Sequence, residues 1–506
     1  MTIESPHKIA VIDIGSNSVR LVIYEISGKA FTLIYNEKVL AGLGRDLHIT
    51  GKLHPLGRRL AFDALKRFKI LLGAQFGVTA KYGEILIAAT AALRDAEDAE
   101  DFIVDVSREI GFDIRPLTGS QEAYMSAMGV IAGDSRVQGV VADLGGASLE
   151  LVDIQASKPS GGISHPLGPF SLFKDVFDPK ILRTKIMACL EDAPSHTAGQ
   201  NLYLIGGAWR NLALIQQKRS GYPLRIAHNY ELNFETAKEL SQWAYSQGGI
   251  AEINNWRGLS ERRAETLPYA GLLLEILLKI IKPCSVIIAP GGLREGIIYD
   301  ALSKLDVPEL NQASPLFSGC MALAKGREHN EYLGGPLFEC LSGLDGTLPS
   351  SFAPKNERRL RRAACLLSSI GKGLHPGHKA RMAFRTILYA PLPDLDHSER
   401  AYLALMVYAS YTSKPTTPND EAIDYLLSED AVISARIYGQ AMRLGLDVSG
   451  RSHIILSQLS LSVKDETLRI YPEIQAKDLR TQRSHARLEK LADQLGLKSQ
   501  GYTEAN

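Results

Sequence analysis

Ile9-Ala-Val-Ile-Asp-Ile-Gly-Ser-Asn-Ser-Val-Arg-Leu-Val-Ile-Tyr-Glu25 is the stretch whose reading decides the fold. An apolar, β-branched run ends at Asp13. A short polar turn, Gly15-Ser16-Asn17-Ser18, comes next, and a second apolar run begins at Val19. The pattern is strand, tight turn, strand. Gly15 lets the backbone come close to a ligand. Successive turn N–H groups, with the Ser16, Asn17 and Ser18 side chains, form a cradle for an anion. Asp13, at the strand end, suits a hydrated divalent cation. An ordinary edge hairpin would use the same residues only to close its turn, so one hairpin leaves both readings open.

A second copy favours the cradle. Val140 to Ile154 reads Val-Val-Ala-Asp-Leu-Gly-Gly-Ala-Ser-Leu-Glu-Leu-Val-Asp-Ile. Asp143 falls on Asp13, Gly145 on Gly15, Ser148 on Ser18, and Leu151-Val152 on Leu21-Val22. The duplication predicts two similar half-domains facing one cleft. Two opposed phosphate cradles suit a substrate with several phosphates.

At 506 residues the chain is too long for one core, and two to four domains are expected. A net charge of +1 confines any basic surface to a local patch. The five cysteines are scattered without a Cys-x-x-Cys pair, which argues against a disulfide framework or zinc knuckle and fits a reducing cytosol. The N-terminus lacks the pattern of a signal peptide. The most apolar stretch, Leu267 to Ile281, contains Glu275 and Lys279 and is too short to span a bilayer. We expect a cytoplasmic protein that binds neither membrane nor nucleic acid.

Strand and helix patterns then alternate. Phe31 to Leu40 reads as a third strand, and Gly42-Leu43-Gly44-Arg45 as a loop without a dinucleotide fingerprint. Pro55 to Phe76 is predicted helical, with Leu56, Leu60, Leu65, Phe68 and Leu72 on an apolar stripe. Glu84 to Ala89 and Asp113 to Pro116 read as strands, and a helix opens at Gly119. After the second hairpin come a strand at 162–165, a helix at 178–190, a strand at 202–205, a long helix at 261–281 and a strand at 285–289. Gly206-Gly207 and Gly291-Gly292 each open a helix, where backbone N–H groups face anions or the glycines simply ease packing. Residues 307–315 form the clearest linker. Beyond it, helices are expected at 360–370, 378–388, 398–411 and 431–443, a strand pair at 454–461 and 467–471, and a frayed tail from Lys498. The predicted domains are 1–132, 133–305 and 316–506.

These residues resemble the exopolyphosphatase / guanosine pentaphosphate phosphohydrolase (Ppx/GppA) family. Both hairpins carry the resemblance, as do Ala89-Thr-Ala-Ala-Leu-Arg94, Gly119-Ser-Gln-Glu-Ala123, Arg263-Ala-Glu-Thr-Leu-Pro268 and Gly292-Leu-Arg-Glu-Gly296. It runs from about residue 8 to 300 in consistent order. It implies an α/β fold of two actin-like domains flanking a cleft, as in sugar kinases and heat-shock chaperone ATPases. It also implies Mg²⁺-dependent release of terminal phosphate from inorganic polyphosphate, with K⁺ as a candidate monovalent cofactor and a homodimer as the expected assembly.

Carried over by position, Glu122 matches the catalytic carboxylate that would orient and deprotonate the attacking water. Glu150 matches a second essential acid that also serves the metal, and Asp143 a metal-associated aspartate. Arg94 matches an arginine that grips the reacting phosphate. Asp13, Gly15, Ser16, Asn17 and Ser18, with Gly145, Gly146, Ala147 and Ser148, would hold phosphates. The family commonly has Gly-Gly-Gly-Ser-Thr-Glu where this chain has Gly145-Gly-Ala-Ser-Leu-Glu150, so Ala147 and Leu149 depart from it. The residue chemistry agrees: no Walker Gly-Lys-Ser/Thr and no Gly-x-Ser-x-Gly elbow is present. Water attack on a phosphoryl group needs a metal, a base and cationic donors.

The C-terminal region resembles the family's helical domain, related to HD-type phosphohydrolases. Leu367-Ser368-Ser369-Ile370-Gly371 stands where such domains have Leu-His-Asp-Ile-Gly, so the region reads as lacking the metal motif. Arg358, Arg359, Arg361, Arg362, Lys372, Lys379, Arg381 and Arg385 lie within thirty residues of sequence against Glu357 alone. They read as a track for a polyanionic chain or as a solvated face. The reading is a processive exopolyphosphatase, with guanosine pentaphosphate hydrolysis at the same site as the alternative. An ATP-driven kinase of the same superfold and a non-catalytic sensor are the other classes.

Overall fold

A computed structural model describes residues 7–75, 85–172, 177–191, 199–304, 314–325, 330–412, 417–418, 420–471, 478–479 and 481–499. The chain forms two compact units, one of residues 1–221 and 225–315, the other of residues 222–224 and 316–506.

The first unit holds two mixed sheets. Strands β1 (His7–Ile14), β2 (Val19–Ser27), β3 (Ala30–Val39), β4 (Ile85–Ala89) and β5 (Arg115–Pro116) assemble in the order β3-β2-β1-β4-β5. Strands β6 (Gly139–Leu144), β7 (Leu149–Gln155), β8 (Lys158–His165), β9 (Asn201–Ile205), β10 (Glu231–Asn233) and β11 (Ser285–Ile288) assemble as β10-β11-β9-β6-β7-β8. The antiparallel run β6-β7-β8 repeats β1-β2-β3, and β9 lies parallel to β6 as β4 does to β1.

The unbroken apolar run of β1 reflects burial on both faces. Ala10, Ile12 and Ile14 join a core with Leu65 and Phe68 of the helix Pro55–Gln75 and Phe102 and Val106 of the helix Ala99–Ile110. Ile9 and Val11 join another with Val22, Tyr24, Ile26 and Ile298. Ile298 belongs to the helix Leu293–Ser303, which comes after the second sheet in sequence yet covers the first. Conversely, the helix Gly119–Gly133, which comes after β5, packs Ala123, Ala127 and Ile131 against Val141, Val152 and Ile154 of the second sheet. Where the two helices approach, only glycine fits. A Cβ on Gly296 would stand 1.7 Å from the Met125 carbonyl oxygen, and one on Gly129 2.0 Å from that of Gly292.

The second unit is mainly helical, built on Pro354–Leu366, Lys379–Tyr389, His397–Tyr411 and Glu429–Val448, with a small sheet of β12 (Ser460–Lys464), β13 (Thr467–Tyr471) and β14 (Lys498–Ser499). Several expected bounds shift. The long helix at 261–281 is broken into Glu261–Ala264 and Leu267–Ile281, the second starting with Pro268 in its first turn. The helix expected from 360 begins at Pro354, where proline suits a first turn, and ends at Leu366. His453–Leu456 is helix rather than strand, and strand begins only at Ser460. Lys498 and Ser499, expected to fray, pair with Thr467 and Leu468. Phe76, most of the linker and the tail beyond Ser499 lie outside the described residues. Among the described residues no helix is long and apolar enough to cross a membrane.

Candidate active site

The two hairpins close with the same backbone hydrogen bond. The Gly15 N–H donates to the Ser18 carbonyl at 3.0 Å, and the Gly145 N–H to the Ser148 carbonyl at 3.0 Å. Each turn is braced from behind by a loop. Gly42 and Gly44 N–H donate to the Asn17 and Ser16 carbonyls at 3.0 and 2.8 Å. Gly168 and Phe170 N–H donate to the Ala147 and Gly146 carbonyls at 3.0 and 2.9 Å. The brace occupies the turn carbonyls. Among the described residues the amides of Ser16, Asn17, Gly146 and Ala147 have no protein acceptor, the arrangement a bound anion needs. The Gly42–Arg45 loop therefore supports the first cradle, a role its sequence did not disclose. The cradles lie close: a Cβ on Gly146 would come within 4.0 Å of Asn17 Cβ. Asn17 Oδ1 is buried without a protein partner among the described residues.

Strand register sets the chemistry beside each turn. Asp13 lies opposite Arg20, whereas Asp143 lies opposite Glu150. The second hairpin thus carries an acid where the first carries a base. Glu122 joins them from the first turn of its helix, which Thr118 and Gln121 close with a reciprocal capping box. Each acid has a dedicated donor. Arg94 Nη1 donates to Glu122 Oε2 at 2.9 Å, Ser126 Oγ to Asp143 Oδ2 at 2.5 Å, and Ser164 Oγ to Glu150 Oε1 at 2.9 Å. Arg94, carried on Ala91–Asp95, also bonds Asp95 at 3.1 Å.

The Glu122 pKa is raised to about 7: burial pushes it up against the opposing Arg94, and Asp143 and Asp13 add to the rise. Burial likewise raises Asp143 to about 6, against the Ser126 hydrogen bond. Glu150 is pushed well above the carboxylate range by burial and by Glu122 and Asp143. Asp13 is also raised by burial, while Arg294, Arg20 and Lys38 pull it down. Glu122, Asp143 and Glu150 feel one another, and Asp13 acts on Glu122 and Asp143, so they stand as one cluster of carboxyl groups whose ionisation is mutually opposed.

Basic side chains to which the sequence attached no role surround this cluster. Arg294 faces Asp13, Asp143 and Glu295. Arg210, at the Gly206-Gly207 junction, faces Arg294, Glu295, Asp143 and Arg263. Lys38 stands opposite Arg20 in register. Glu295 has a structural part: it accepts from Tyr24 Oη at 2.5 Å and from the Gly292 N–H at 3.0 Å, tying its helix to β2.

The donor set fits Mg²⁺. Among the described residues no three His, Cys, Asp or Glu side chains form a metal cage. Mg²⁺ needs none, because it keeps several waters and binds through one or two carboxylates and substrate phosphates. Asp143 and Glu150, paired across one hairpin with raised pKa values, are the groups a cation would relieve.

The basic stretch of the second unit does not form one surface. Arg361 is only 3% exposed and pairs with Asp345 at 3.0 Å and Glu357 at 3.2 Å, so its assignment to a polyanion track is corrected. Arg359 bonds Glu399 at 2.9 Å and the Asp394 carbonyl, and Arg358 bonds Asp345 at 2.9 Å. Charge counting along the stretch missed Asp345 and Glu399, which lie just outside it on either side. Arg362, Lys372, Arg381 and Arg385 are exposed, and Lys379 is half-buried over the Tyr411 ring. Ser368 and Ser369 are buried, and Tyr411 Oη donates to the Ser368 carbonyl at 2.6 Å.

Two sheets with duplicated strand–turn–strand cradles and an acid cluster between them define a phosphate-handling protein of the actin-like superfold. Residues 22–305 match the Ppx/GppA phosphatase family, and residues 351–500 match the exopolyphosphatase C-terminal domain. The chain belongs to the Ppx/GppA phosphatase family. It is 26% identical over 444 residues to retrograde regulation protein 2 of Saccharomyces cerevisiae, covering 78% of this chain and 71% of that one. It is 25% identical over 330 residues to exopolyphosphatase 1 of Mycobacterium bovis, covering 62% and 94%. The crystal structure of the Aquifex aeolicus family member aligns with a TM-score of 0.52 at 26% identity, covering 60% of this chain and all of the other.

Proposed function

We propose that this protein is an exopolyphosphatase that releases terminal orthophosphate from inorganic polyphosphate by water attack. The observation that carries the reading is the convergence of Glu122, Asp143 and Glu150 with Asp13 at two anion cradles. The amides of Ser16–Ser18 and Gly146–Ser148 bind the terminal phosphates. Arg94 grips the reacting phosphoryl group, with Arg294 and Arg210 offsetting charge beside it. Glu122 orients the water and takes its proton; a carboxylate near pKa 7 is a competent base at neutral pH. Asp143 and Glu150 would hold Mg²⁺, which would supply Lewis acidity at the phosphate oxygens.

The test is phosphate release by wild type and Glu122→Gln, on polyphosphates of several lengths and on guanosine pentaphosphate. The wild type should turn over polyphosphate, with kcat falling by about 10²-fold or more in the variant, the range of one acid–base group, while polyphosphate still binds. Preference for guanosine pentaphosphate would transfer the reading to that substrate. Phosphate transfer to an acceptor in place of water would favour a kinase, and binding without turnover a sensor.

A further inference from the structure

The donor to Asp143 is not supplied by its own strand or turn. Ser126 lies on the helix Gly119–Gly133, one turn beyond Glu122, so both residues share a face of that helix. The serine is 0% exposed, and its Oγ stands 2.5 Å from Asp143 Oδ2. A buried helical serine commonly returns its proton to the carbonyl four residues back, but here the hydroxyl goes to the carboxylate. With Oδ2 held, rotation of the carboxylate is restricted, and Oδ1 is the oxygen that this bond leaves for a ligand. We propose that Ser126 is a positioning residue that presets the Asp143 carboxylate for a divalent cation, coupling the metal site to the helix that carries Glu122. The proposal rests on the assignment of Asp143 to the metal. It concerns a residue that no motif of the sequence singles out.

Groups that orient a metal ligand typically contribute about 10- to 100-fold in metal affinity. The direct test is titration of the full chain with Mn²⁺, a paramagnetic substitute for Mg²⁺, without substrate, following free Mn²⁺ by electron paramagnetic resonance. The proteins are wild type, Ser126→Ala, Asp143→Asn and the double variant. Alanine is the better helix former and removes only the hydroxyl, so the fold should hold; thermal melts check this. Ser126→Ala should weaken Mn²⁺ binding about tenfold and add little in the Asp143→Asn background, as expected of a residue acting through the aspartate. In phosphate-release assays its half-saturating Mg²⁺ should rise while KM for polyphosphate stays unchanged, and Ser126→Thr should recover most of the loss. Unchanged Mn²⁺ affinity in Ser126→Ala, with affinity reduced in Asp143→Asn, overturns the proposal and leaves the functional reading intact. Unchanged affinity in Asp143→Asn removes the aspartate from the metal site and overturns both the proposal and that assignment. Equal losses from Ser126→Ala in both backgrounds assign the serine to general packing and likewise overturn it.

Discussion

Glu122 is held by opposing forces, and their balance gives it two measurable properties. Burial and the neighbouring carboxylates outweigh the Arg94 ion pair, so its pKa sits at about 7, above the ordinary 4.5. As a base it must be ionised, so kcat should rise with pH up to about 7 and fall on the acid side, a profile that Glu122→Gln abolishes. The same shift is a statement about stability. A group whose pKa is raised by folding contributes stability that is complete below the unfolded value and lost as pH rises through the folded one. Wild type therefore carries the cost of an ionised Glu122 above pH 7. In metal-free buffer Glu122→Gln should melt several degrees higher than wild type at pH 8, with no difference at pH 4. A variant that melts lower at pH 8 would show that the Arg94 pair dominates instead. Asp13 and Asp143 were legible as matching positions of the repeated hairpin, whereas Glu122 and Glu150 stood out only through the family resemblance, since neither recurs in the other half. The donors Ser126 and Ser164 were not legible, since a serine in an apolar helix or edge strand looks like any other until the fold brings it to a carboxylate.

At the scale of elements the repeat was the strongest signal, and its physical basis is plain. β-Branched runs flanking Gly-x-x-Ser fix strand, turn and strand in both halves, and the register then decides chemistry by a single exchange, Arg20 in one hairpin and Glu150 in the other. Short apolar runs were less legible: Ile454–Leu461 divides between helix and strand, because periodicity cannot separate the two over so few residues. Leu149, which departs from the threonine the resemblance led us to expect, is fully buried and belongs to the interior. The crossing of the two exchanged helices was invisible in sequence, because its glycines serve close approach between segments some 160 residues apart. It yields a direct prediction. Gly296→Ala forces a methyl group against the Met125 carbonyl and should cost about 1–3 kcal/mol or more, with activity falling as the Glu122 helix shifts. Gly248→Ala, whose Cβ meets open space, should be neutral or slightly stabilising. Equal melting temperatures for the two variants would mean that the helices yield at the crossing without loss.

At the scale of the molecule, chain length foretold more than one compact unit, and the net charge of +1 confined any basic surface to a local patch. Neither revealed how that surface is divided. Arg361 and Arg359 are committed to Asp345, Glu357 and Glu399 inside the second unit, and their charge is already compensated. Arg362, Lys372, Arg381 and Arg385 are exposed. A long polyphosphate is charged along its whole length, so contacts made away from the chemical step should tighten long chains and leave the shortest nearly unaffected. Such contacts are screened over about 8–10 Å at physiological ionic strength. Charge reversal of those four exposed residues should therefore lower kcat/KM for long chains several-fold at low salt, less at high salt, and barely change short-chain hydrolysis. Arg361→Ala is the contrast: it leaves the buried Glu357 without its cation, while Asp345 keeps Arg358, should destabilise the second unit by about 3–5 kcal/mol as a broken buried pair does, and has no reason to discriminate by chain length. The measurement is kcat/KM against chain length at two salt concentrations for both variants, with melting curves. If the fourfold reversal reduces long and short chains by the same factor, the exposed cations are a solvated face, and a polyphosphate path must instead run along the first unit, where Arg20, Lys38, Arg210 and Arg294 face the acid cluster.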